Sequence, residues 1–389
     1  MNSLLAFSHL RWDFLRQRPQ HLLSRLARRW PVIFIEEPVP GSDRNGLVMF
    51  EPEDGVQVWR PHVAGDAPNL DDDHLPVLHK LIAAALQEQD IRDYWIWLCT
   101  PMALPLATQL RPRGVVYDCV QPVSTPKLVQ RENALFKIAD LVFAGGRSLY
   151  NAKRDRHPDV HLFPNSVDAG HFASAVGEHP LQASIARPRL GYCGAIDERL
   201  NLELIAAIAD ARPQWNIVMV GPTAGIDAAA LPRRDNIHWL GRQDDRDLPA
   251  LISGWDVCVL PYSLSETTRF ISPAQTLEYM ACGKPVVSTS IRDVVEGFGQ
   301  VVRIADTPEG FIADCEMLLQ RSAAEREQHA RALAALVART SWDATAHAMA
   351  ELIEQADDLV DSSAEFARGQ PAAGDAASLS RSTSVQRLG

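Results

Sequence analysis

Short apolar runs alternate with longer polar and helical stretches along the whole chain. In the first half, runs typical of buried strands occur at residues 4–7, 32–35, 56–59, 94–98, 115–117, 141–143 and 161–163. After a break, the rhythm restarts at residues 190–193, 217–220, 237–240, 257–260, 286–288 and 301–304. Because strands that alternate with helices favour βαβ units, the pattern predicts two Rossmann-like α/β domains with parallel sheets.

The break between the halves, residues 172–188, is rich in Ala, Ser, Pro and Gly and has no strong periodicity. It is therefore predicted to be an interdomain linker. The domains are predicted over 1–172 and 187–340, and a helix over 341–366. The remaining residues, 367–389, include few large apolar side chains, and they are predicted to be disordered.

Composition narrows the class of protein. The chain has 389 residues, which is enough for two domains of typical size, and its formal net charge of -11 argues against a nucleic-acid binder. Its six cysteines form no Cys-x-x-Cys pair and lie mostly in apolar runs, so we expect reduced, structural thiols. The sequence has no secretory pattern at its start and no apolar window of membrane-spanning length, so a cytoplasmic location is expected.

The first thirty residues are locally basic, with six arginines against one acid, Asp13. One interpretation is peripheral contact with the anionic inner membrane surface. The other is that these arginines cover the exposed side of a helix, and the sequence favours this second interpretation. The arginines are Arg11, Arg16, Arg18, Arg25, Arg28 and Arg29.

A polar loop over residues 8–18 follows the first predicted strand. Open α/β sheets bind ligands at the carboxyl ends of their strands, so this loop is a candidate ligand contact. Trp12, Asp13 and Arg18 are its acceptor-side candidates, and Arg18 is the best candidate for an anionic group. The alternative is a surface turn held by salt bridges.

The most informative segment is RFISPAQTLEYMACGKPVVST, residues 269–289. Ser272 and Pro273 are typical of a helix start, and the pattern predicts a helix over 273–282 followed by a buried strand. Free backbone N–H groups near Ser272, Pro273, Gln275 and Thr276 suit a phosphate, and Glu278 could accept hydrogen bonds from sugar hydroxyls. The alternative is a solvated Glu on an ordinary helix.

This segment resembles the C-terminal signature of glycosyltransferase family 4, whose members are retaining enzymes of the GT-B fold. Glu278 matches the residue that this family presents to the nucleotide ribose. The family's earlier Glu, a donor-sugar contact, is replaced by Phe270. The segment is also similar to a subgroup with the motif Ser-Pro-x-Lys-x-x-Glu-Tyr, that is, Ser-Pro-x-x-x-x-Glu-Tyr with Lys at the fourth position. In this chain Gln275 replaces that Lys. Residues 8–38 resemble the start of bacterial cell-envelope transferases of the same subgroup.

The resemblance implies a diphosphate site after the first strand of the second domain, where Gly194 and Ala195 offer backbone amides. The family's Arg and Lys at this site are replaced by Ala195 and Leu200. Arg199 and Arg269 are the nearby cations that could substitute for them. Alternatively, Arg199 pairs with a neighbouring glutamate, Glu198 or Glu203.

Two further loops belong to the same cleft under this resemblance. Gly221 ends one strand, and Gly241 with Arg242 resembles the segment that holds the base. In the first domain Asp118 ends a strand, and it is the candidate for an acceptor or sugar contact.

The resemblance implies a GT-B fold with a cleft between two domains and a helix over 341–366 that crosses back to the first. It also implies a retaining transferase that moves a sugar from a nucleotide-diphosphate sugar to a hydroxyl of a cell-surface glycan or lipid-linked saccharide. No metal or cofactor is expected. The alternatives are a donor-binding but inactive scaffold subunit and a GT-B nucleotide-sugar epimerase, which would need catalytic carboxylates not located in the sequence.

Overall fold

The computed structural model describes residues 2–65, 72–174 and 177–369. They form two sheets in chain order, an eight-stranded sheet followed by a six-stranded one. Each strand run predicted from the sequence overlaps an observed strand. The last observed strand begins two residues later than predicted.

The first unit has the strand order β3-β4-β2-β1-β5-β6-β7-β8, in which only β3 runs antiparallel to its neighbour. Its strands are β1 (Ser3–Ser8), β2 (Val32–Glu36), β3 (Gly46–Glu53), β4 (Val56–His62), β5 (Tyr94–Leu98), β6 (Val115–Cys119), β7 (Leu141–Ala144) and β8 (Val160–Leu162). Its helices are α1 (Arg18–Leu26), α2 (Leu75–Glu88), α3 (Leu104–Leu110), α4 (Pro126–Leu135) and α5 (Arg147–Lys153). The edge strand β3 was not predicted from the sequence.

The second unit has the order β11-β10-β9-β12-β13-β14, and all its described pairings are parallel. Its strands are β9 (Arg189–Cys193), β10 (Asn216–Val220), β11 (Ile237–Gly241), β12 (Val257–Leu260), β13 (Val286–Ser288) and β14 (Arg303–Ile304). Its helices are α7 (Leu202–Ala211), α8 (Leu248–Ser253), α9 (Gln275–Ala281), α10 (Arg292–Phe298), α11 (Pro308–Leu319) and α12 (Ala323–Val337), after α6 (Ala169–Ala173) between the sheets. The strand order reverses at β9, which places the ligand crevice of such a sheet at the carboxyl end of β9.

The segment between the sheets is packed rather than loose. Phe172 and Ile185 are buried in the core of the second unit. The fully buried Gln182 donates from Nε2 to the carbonyl oxygen of Leu251 at 2.8 Å and accepts from Trp255 Nε1 at 3.0 Å. Residues 175 and 176 of the predicted linker lie outside the described residues.

The final helix, α13 (Trp342–Gly369), lies on the first unit. Trp342, Met349 and Ile353 are buried in a core shared with α1 and β1. Trp95 of β5 donates from Nε1 to Asp357 Oδ1 at 2.7 Å. Residues 367–369 of the predicted tail belong to this helix, and residues 370–389 lie outside the described part of the chain. Among the described helices, we find none with the length and apolar character needed to cross a membrane.

Candidate functional site

The short helix α9 carries the acidic side chain that the sequence nominates. It spans seven residues and so begins two residues later and ends one earlier than predicted. Leu277 and Met280 anchor it in the second core, and the buried Tyr279 accepts a hydrogen bond at Oη from the backbone N–H of Cys193, at 2.8 Å. Because Cys193 ends β9, this bond holds α9 and Glu278 at the crevice end of the sheet.

The Glu278 carboxylate is half-buried and has no hydrogen-bond or ion-pair partner among the described residues. Burial raises its pKa to about 8, and the negative charge of Asp245 adds to the shift. A desolvated carboxyl group without internal donors is a candidate functional group, because its hydrogen-bonding capacity is left for a ligand.

Asp245 is a second acidic residue of this site, and the sequence analysis did not single it out. It follows β11, and burial raises its pKa while the nearby His171 opposes that shift. The His171 Nε2 atom lies 3.0 Å from the Asp245 carbonyl oxygen and 3.7 Å from its Oδ2. The acidic pair Asp244 and Asp245 directly after a strand end was the signal that could have found it.

The predicted diphosphate loop at Gly194 contacts Gly221, the other glycine predicted to lie in the cleft. Gly194 and Gly221 both have positive φ, +148° and +145°. A Cβ at Gly221 would lie 1.8 Å from the Gly194 carbonyl oxygen, and a Cβ at Gly194 would lie 2.5 Å from Gln275 Nε2. Glycine is therefore required here by backbone packing, and Gln275 covers the Gly194 loop. Ala195 is half-buried and accepts from Tyr192 Oη at 3.0 Å.

One predicted nucleotide contact on α9 faces the interior. Thr276 is fully buried, and its hydroxyl has no hydrogen-bond partner among the described residues. This corrects its expected position near a bound phosphate, because its side chain offers no surface to the crevice.

Arg199 is held by a neighbouring acid, although not by the glutamates expected from the sequence. Its Nη2 lies 2.6 Å from Asp197 Oδ2 and its Nε 2.9 Å from Oδ1. The hydrogen bonds that Arg199 donates to Asp197 raise the pKa of Arg199 further above its usual range. Arg199 remains partly exposed and keeps unused donors, whereas Leu200, at the family's Lys position, is buried in the second core.

The side chain of Arg269 faces solvent, whereas that of Phe270 packs against the first unit. The exposed Arg269 makes a loose ion pair with Glu266 at 3.4 Å. Phe270 is half-buried against the core of the first unit. The aromatic side chain at the place of the family's sugar-binding Glu therefore forms a contact between the two units.

Three further contacts join the units across the cleft. Arg242, predicted beside the base, donates from Nη2 to the Asp13 carbonyl oxygen at 2.8 Å and also to that of Phe14. The Ser272 carbonyl oxygen accepts from Asn165 Nδ2 at 2.7 Å. The third contact joins Asp293 of α10 to Ser148.

In this third contact, Asp293 Oδ1 accepts from the backbone N–H of Ser148 at 2.9 Å and also from its hydroxyl. A Cβ at Gly146 would lie 3.0 Å from Ser272 Cβ. The predicted helix start at Ser272 and Pro273 therefore faces the first unit closely.

The first-unit candidates are placed differently from the expectation. Arg18 is the first residue of α1 rather than part of a loop, and its side chain is 5% exposed. It pairs with Asp118, which is 0% exposed, through Nη2 and Oδ1 at 2.9 Å, and it donates from Nη1 to the Phe163 carbonyl oxygen at 2.7 Å. Both charges are thus satisfied inside the protein, which corrects their expected exposure to a ligand.

Trp12 is also buried, against Phe34 with ring centroids 4.9 Å apart, so it is not an exposed stacking surface. Asp13 is exposed and pairs with Arg60 at 3.0 Å. Glu37, which was not predicted, is half-buried after β2, and burial raises its pKa to about 7 although the charge of Arg11 opposes the shift.

Each of the six N-terminal arginines has an acidic partner. The partners are Glu36 for Arg11, Glu53 for Arg16, Asp118 for Arg18, Asp168 and Asp343 for Arg25, Asp343 for Arg28 and Glu354 for Arg29. The arginines therefore do not cover one exposed helix face as the favoured interpretation had it, because only Arg18 and Arg25 lie on α1 and Arg18 is buried. Peripheral membrane contact stays a prediction.

Solved structures share the complete architecture. An Escherichia coli trehalose-6-phosphate structure bound with UDP-2-fluoro glucose has a TM-score of 0.69 at 13% identity, covering 92% of this chain and 99% of that one. The chain has the GT-B fold. Sucrose-phosphate synthase from Thermosynechococcus elongatus has a TM-score of 0.68 at 16% identity, covering 91% and 99%. Anabaena HepE in complex with UDP and glucose has a TM-score of 0.68 at 15% identity, covering 91% of this chain and 100% of that one. The predicted fold class is confirmed.

Sequence comparison supports a glycosyltransferase domain in the second unit of this GT-B chain. Residues 187–321 match the family model described as glycosyl transferases group 1. TuaH of Bacillus subtilis, named as a teichuronic acid biosynthesis glycosyltransferase, is 28% identical over 223 residues, 53% of this chain and 53% of TuaH. A D-inositol 3-phosphate glycosyltransferase of Salinispora arenicola is 26% identical over 182 residues, 40% of this chain and 38% of the relative. The matches therefore span about half of these relatives or less.

Proposed function

We propose that this protein is a retaining glycosyltransferase that moves a sugar from a nucleotide-diphosphate sugar to an acceptor hydroxyl. The proposed acceptor is a cell-surface glycan or a lipid-linked saccharide, in line with the name of the Bacillus relative. UDP or a UDP-sugar is bound in two of the similar solved structures, so uridine nucleotides are the first donors to test. The cytoplasmic location stays a prediction, and peripheral membrane contact stays the less favoured interpretation of the N-terminal arginines.

The observation that carries this proposal is the unpartnered carboxylate of Glu278. It lies at the carboxyl end of β9, close to Asp245 in the loop after β11, within the segment that matches the glycosyltransferase model. A ribose placed there would donate its two neighbouring hydroxyls to the carboxylate. Two such donors would favour the ionised form of Glu278 and lower its pKa from about 8.

The departing diphosphate would need positive charge and N–H donors at the place where negative charge develops. Arg199 keeps free donors beyond its pair with Asp197, and the half-buried loop at Gly194 and Ala195 lies beside Gln275. In the proposed retaining reaction the acceptor attacks on the leaving-group face. The departing phosphate then helps to remove the acceptor proton, so the reaction needs no dedicated protein base.

Entry of the donor requires the two units to separate, because contacts at Arg242, Ser272 and Asp293 join them in this structure. Closure over the bound donor would exclude water and limit hydrolysis. The contacts at Arg242, Ser272 and Asp293 are hydrogen bonds, which can break and re-form as the units open and close.

Titration calorimetry with UDP and UDP-glucose tests the proposal. Glu278→Gln keeps the shape but removes the charge, and we expect it to weaken binding about tenfold or more. At pH 7 the wild type should release protons on binding, which is measured as a dependence of the heat on the buffer's ionisation enthalpy. Glu327→Gln, an exposed change on α12, is the matched control. Equal affinities of Glu278→Gln and wild type would refute the role of Glu278.

A second candidate function is a donor-binding but inactive scaffold subunit. The favouring observation is the loss of cationic side chains at the phosphate site, where Ala195, the buried Leu200 and Gln275 replace them. An assay of UDP-sugar hydrolysis and transfer separates the two candidates. Binding without any turnover across acceptors would favour the scaffold, whereas transfer to a saccharide would establish the enzyme.

A further inference from the structure

A groove of about 350 Å³ opens between the loop after β12 and the loop after β13. Two arginines line it, Arg269 with 57% and Arg292 with 51% of the side chain exposed. The rest of the lining is the exposed Leu264, together with Ser265, Glu266, Thr268, Ser290 and Ile291. The groove therefore combines an apolar surface with two accessible cations.

The acids near these arginines leave most of their donors unused. Arg292 donates from Nε to Glu296 Oε1 at 2.7 Å, and Arg269 Nη1 lies 3.4 Å from Glu266 Oε2. A guanidinium group has five N–H donors, so each arginine keeps several for a ligand. Glu266 is largely exposed, and an exposed pair of this kind is weak enough for a bound anion to replace it.

The other acids of this region are turned away from the arginines. Asp306 accepts from the backbone N–H and the hydroxyl of Ser290, at 2.7 and 2.8 Å. Asp293 is directed to Ser148 in the first unit. The donors in the groove thus outnumber the acids that could hold them.

The groove continues the edge of the sheet on which Glu278 lies. Glu278 is near the ends of β9 and β11, whereas the groove follows β12 and β13 on the other side of β9 in the strand order. The Ser263 N–H donates to the Arg199 carbonyl oxygen at 2.8 Å, which joins the groove loop to the proposed diphosphate loop. A nucleotide held by Glu278 would therefore direct its sugar toward the groove.

We propose that this groove binds a saccharide that carries a negative charge, held by Arg269 and Arg292. The inference rests on the proposed function, and it adds a charge requirement that neither the fold nor the family match contains. Paired guanidinium groups suit a carboxylate or a phosphate because they donate in parallel, while Leu264 packs against the sugar ring. The charged sugar belongs either to the donor or to the acceptor.

Two sets of calorimetric titrations distinguish these sources. The donor set compares UDP-glucuronate with UDP-glucose. The acceptor set compares glucuronate and glucose 6-phosphate with glucose, with and without saturating UDP. In at least one set we expect the charged probe to bind about tenfold more tightly than its neutral counterpart, with the preference falling at high KCl.

The double variant R269Q/R292Q should lose that preference, so that the charged probe and its neutral counterpart bind the variant with similar affinity. The matched control is Arg92→Gln, an exposed arginine that also pairs with an acid, Asp90, in the first unit. The inference is overturned if the wild type does not prefer a charged probe in either set, or if the double variant keeps the preference. UDP binding by itself reports on the proposed function, so its persistence without any charge preference would reject the groove and retain the transferase.

Discussion

The carboxyl edges of the two sheets both carry charged residues, but they satisfy them differently. At the first sheet, Arg18 and Asp118 neutralise each other within the core. At the second sheet, the Glu278 carboxylate is desolvated and has no partner among the described residues, and Arg269 and Arg292 are half exposed. A charged residue at a strand end therefore indicates a binding site only where the protein leaves its hydrogen-bonding capacity unused.

The energetic consequences differ accordingly. A buried and well-bonded ion pair is required for stability once it exists, because removal of one partner leaves the other charge uncompensated. A desolvated and unpaired carboxylate lowers stability, and the proposed ligand would supply the missing donors. The first edge is thus expected to respond to mutation through folding, and the second through binding.

The largest expected effect is at the first edge. Arg18→Ala leaves Asp118 buried without its partner, and we expect a loss of about 3–5 kcal/mol in the free energy of unfolding. Urea denaturation followed by circular dichroism measures it. Arg16→Ala removes an exposed pair with Glu53 and should cost less than about 1 kcal/mol. Similar losses in the two variants would contradict the comparison.

A smaller effect is expected where the two edges meet. Asp293→Ala removes the acceptor of the Ser148 N–H and hydroxyl. We expect the free energy of unfolding to fall by about 2 kcal/mol and the two units to move apart. Small-angle X-ray scattering measures the opening as an increased radius of gyration. Asp306→Ala, which removes a contact within the second unit, is the control and should leave that radius unchanged.

The fold was largely predictable from the sequence because most of its strands appear as short local runs of apolar residues. Buried parallel strands are continuous apolar runs, and each run predicted from the sequence overlaps a strand. The missed strand β3 does contain an apolar run, residues 47–50, which the sequence analysis passed over. In the structure β3 lies at a sheet edge, and all its residues are half-buried or exposed rather than fully buried. The antiparallel pairing of β3 with β4 had a local signal, the two-residue connection Asp54-Gly55, which the sequence analysis did not use.

The site was predictable only in part, because burial and pairing are tertiary properties. Glu278 stood out through the motif around it. Arg18 and Asp118 are one hundred positions apart in the sequence. No local pattern could therefore show that both side chains are buried and paired in the core. Thr276 is the second residue of α9, yet the orientation of the helix places its side chain in the interior.

A pH-dependent effect would sharpen the comparison at the second edge. The folded-state pKa of Glu278, about 8, lies above its ordinary value of 4.5, so the folded protein binds more protons between these values. Stability is therefore expected to fall as the pH rises from about 4.5 to 8. One pKa unit corresponds to about 1.4 kcal/mol of folding free energy. Because Glu278 is partly exposed, we count only about a third of its pKa shift, which corresponds to a loss of about 1–2 kcal/mol in the free energy of unfolding.

Glu278→Gln should remove this dependence in the absence of ligand. We expect the same melting temperature as the wild type at pH 5 and a higher one, by about 2–6 °C, at pH 8.5. Differential scanning calorimetry at the two pH values measures the difference. A variant that is less stable than the wild type at pH 8.5 would indicate that Glu278 has a stabilising partner.

The smallest effect is expected in the basic turn that directly follows α1, which lies outside both edges. Arg28 is exposed and pairs with Asp343 at 2.7 Å, so Arg28→Gln should change the free energy of unfolding by less than about 0.5 kcal/mol. The partners of the six arginines reduce the net positive charge that an anionic membrane would attract. Sedimentation with phosphatidylglycerol vesicles at 0.15 M salt should therefore recover little protein. Strong binding that Arg28→Gln weakens would instead favour the membrane-contact interpretation of these residues.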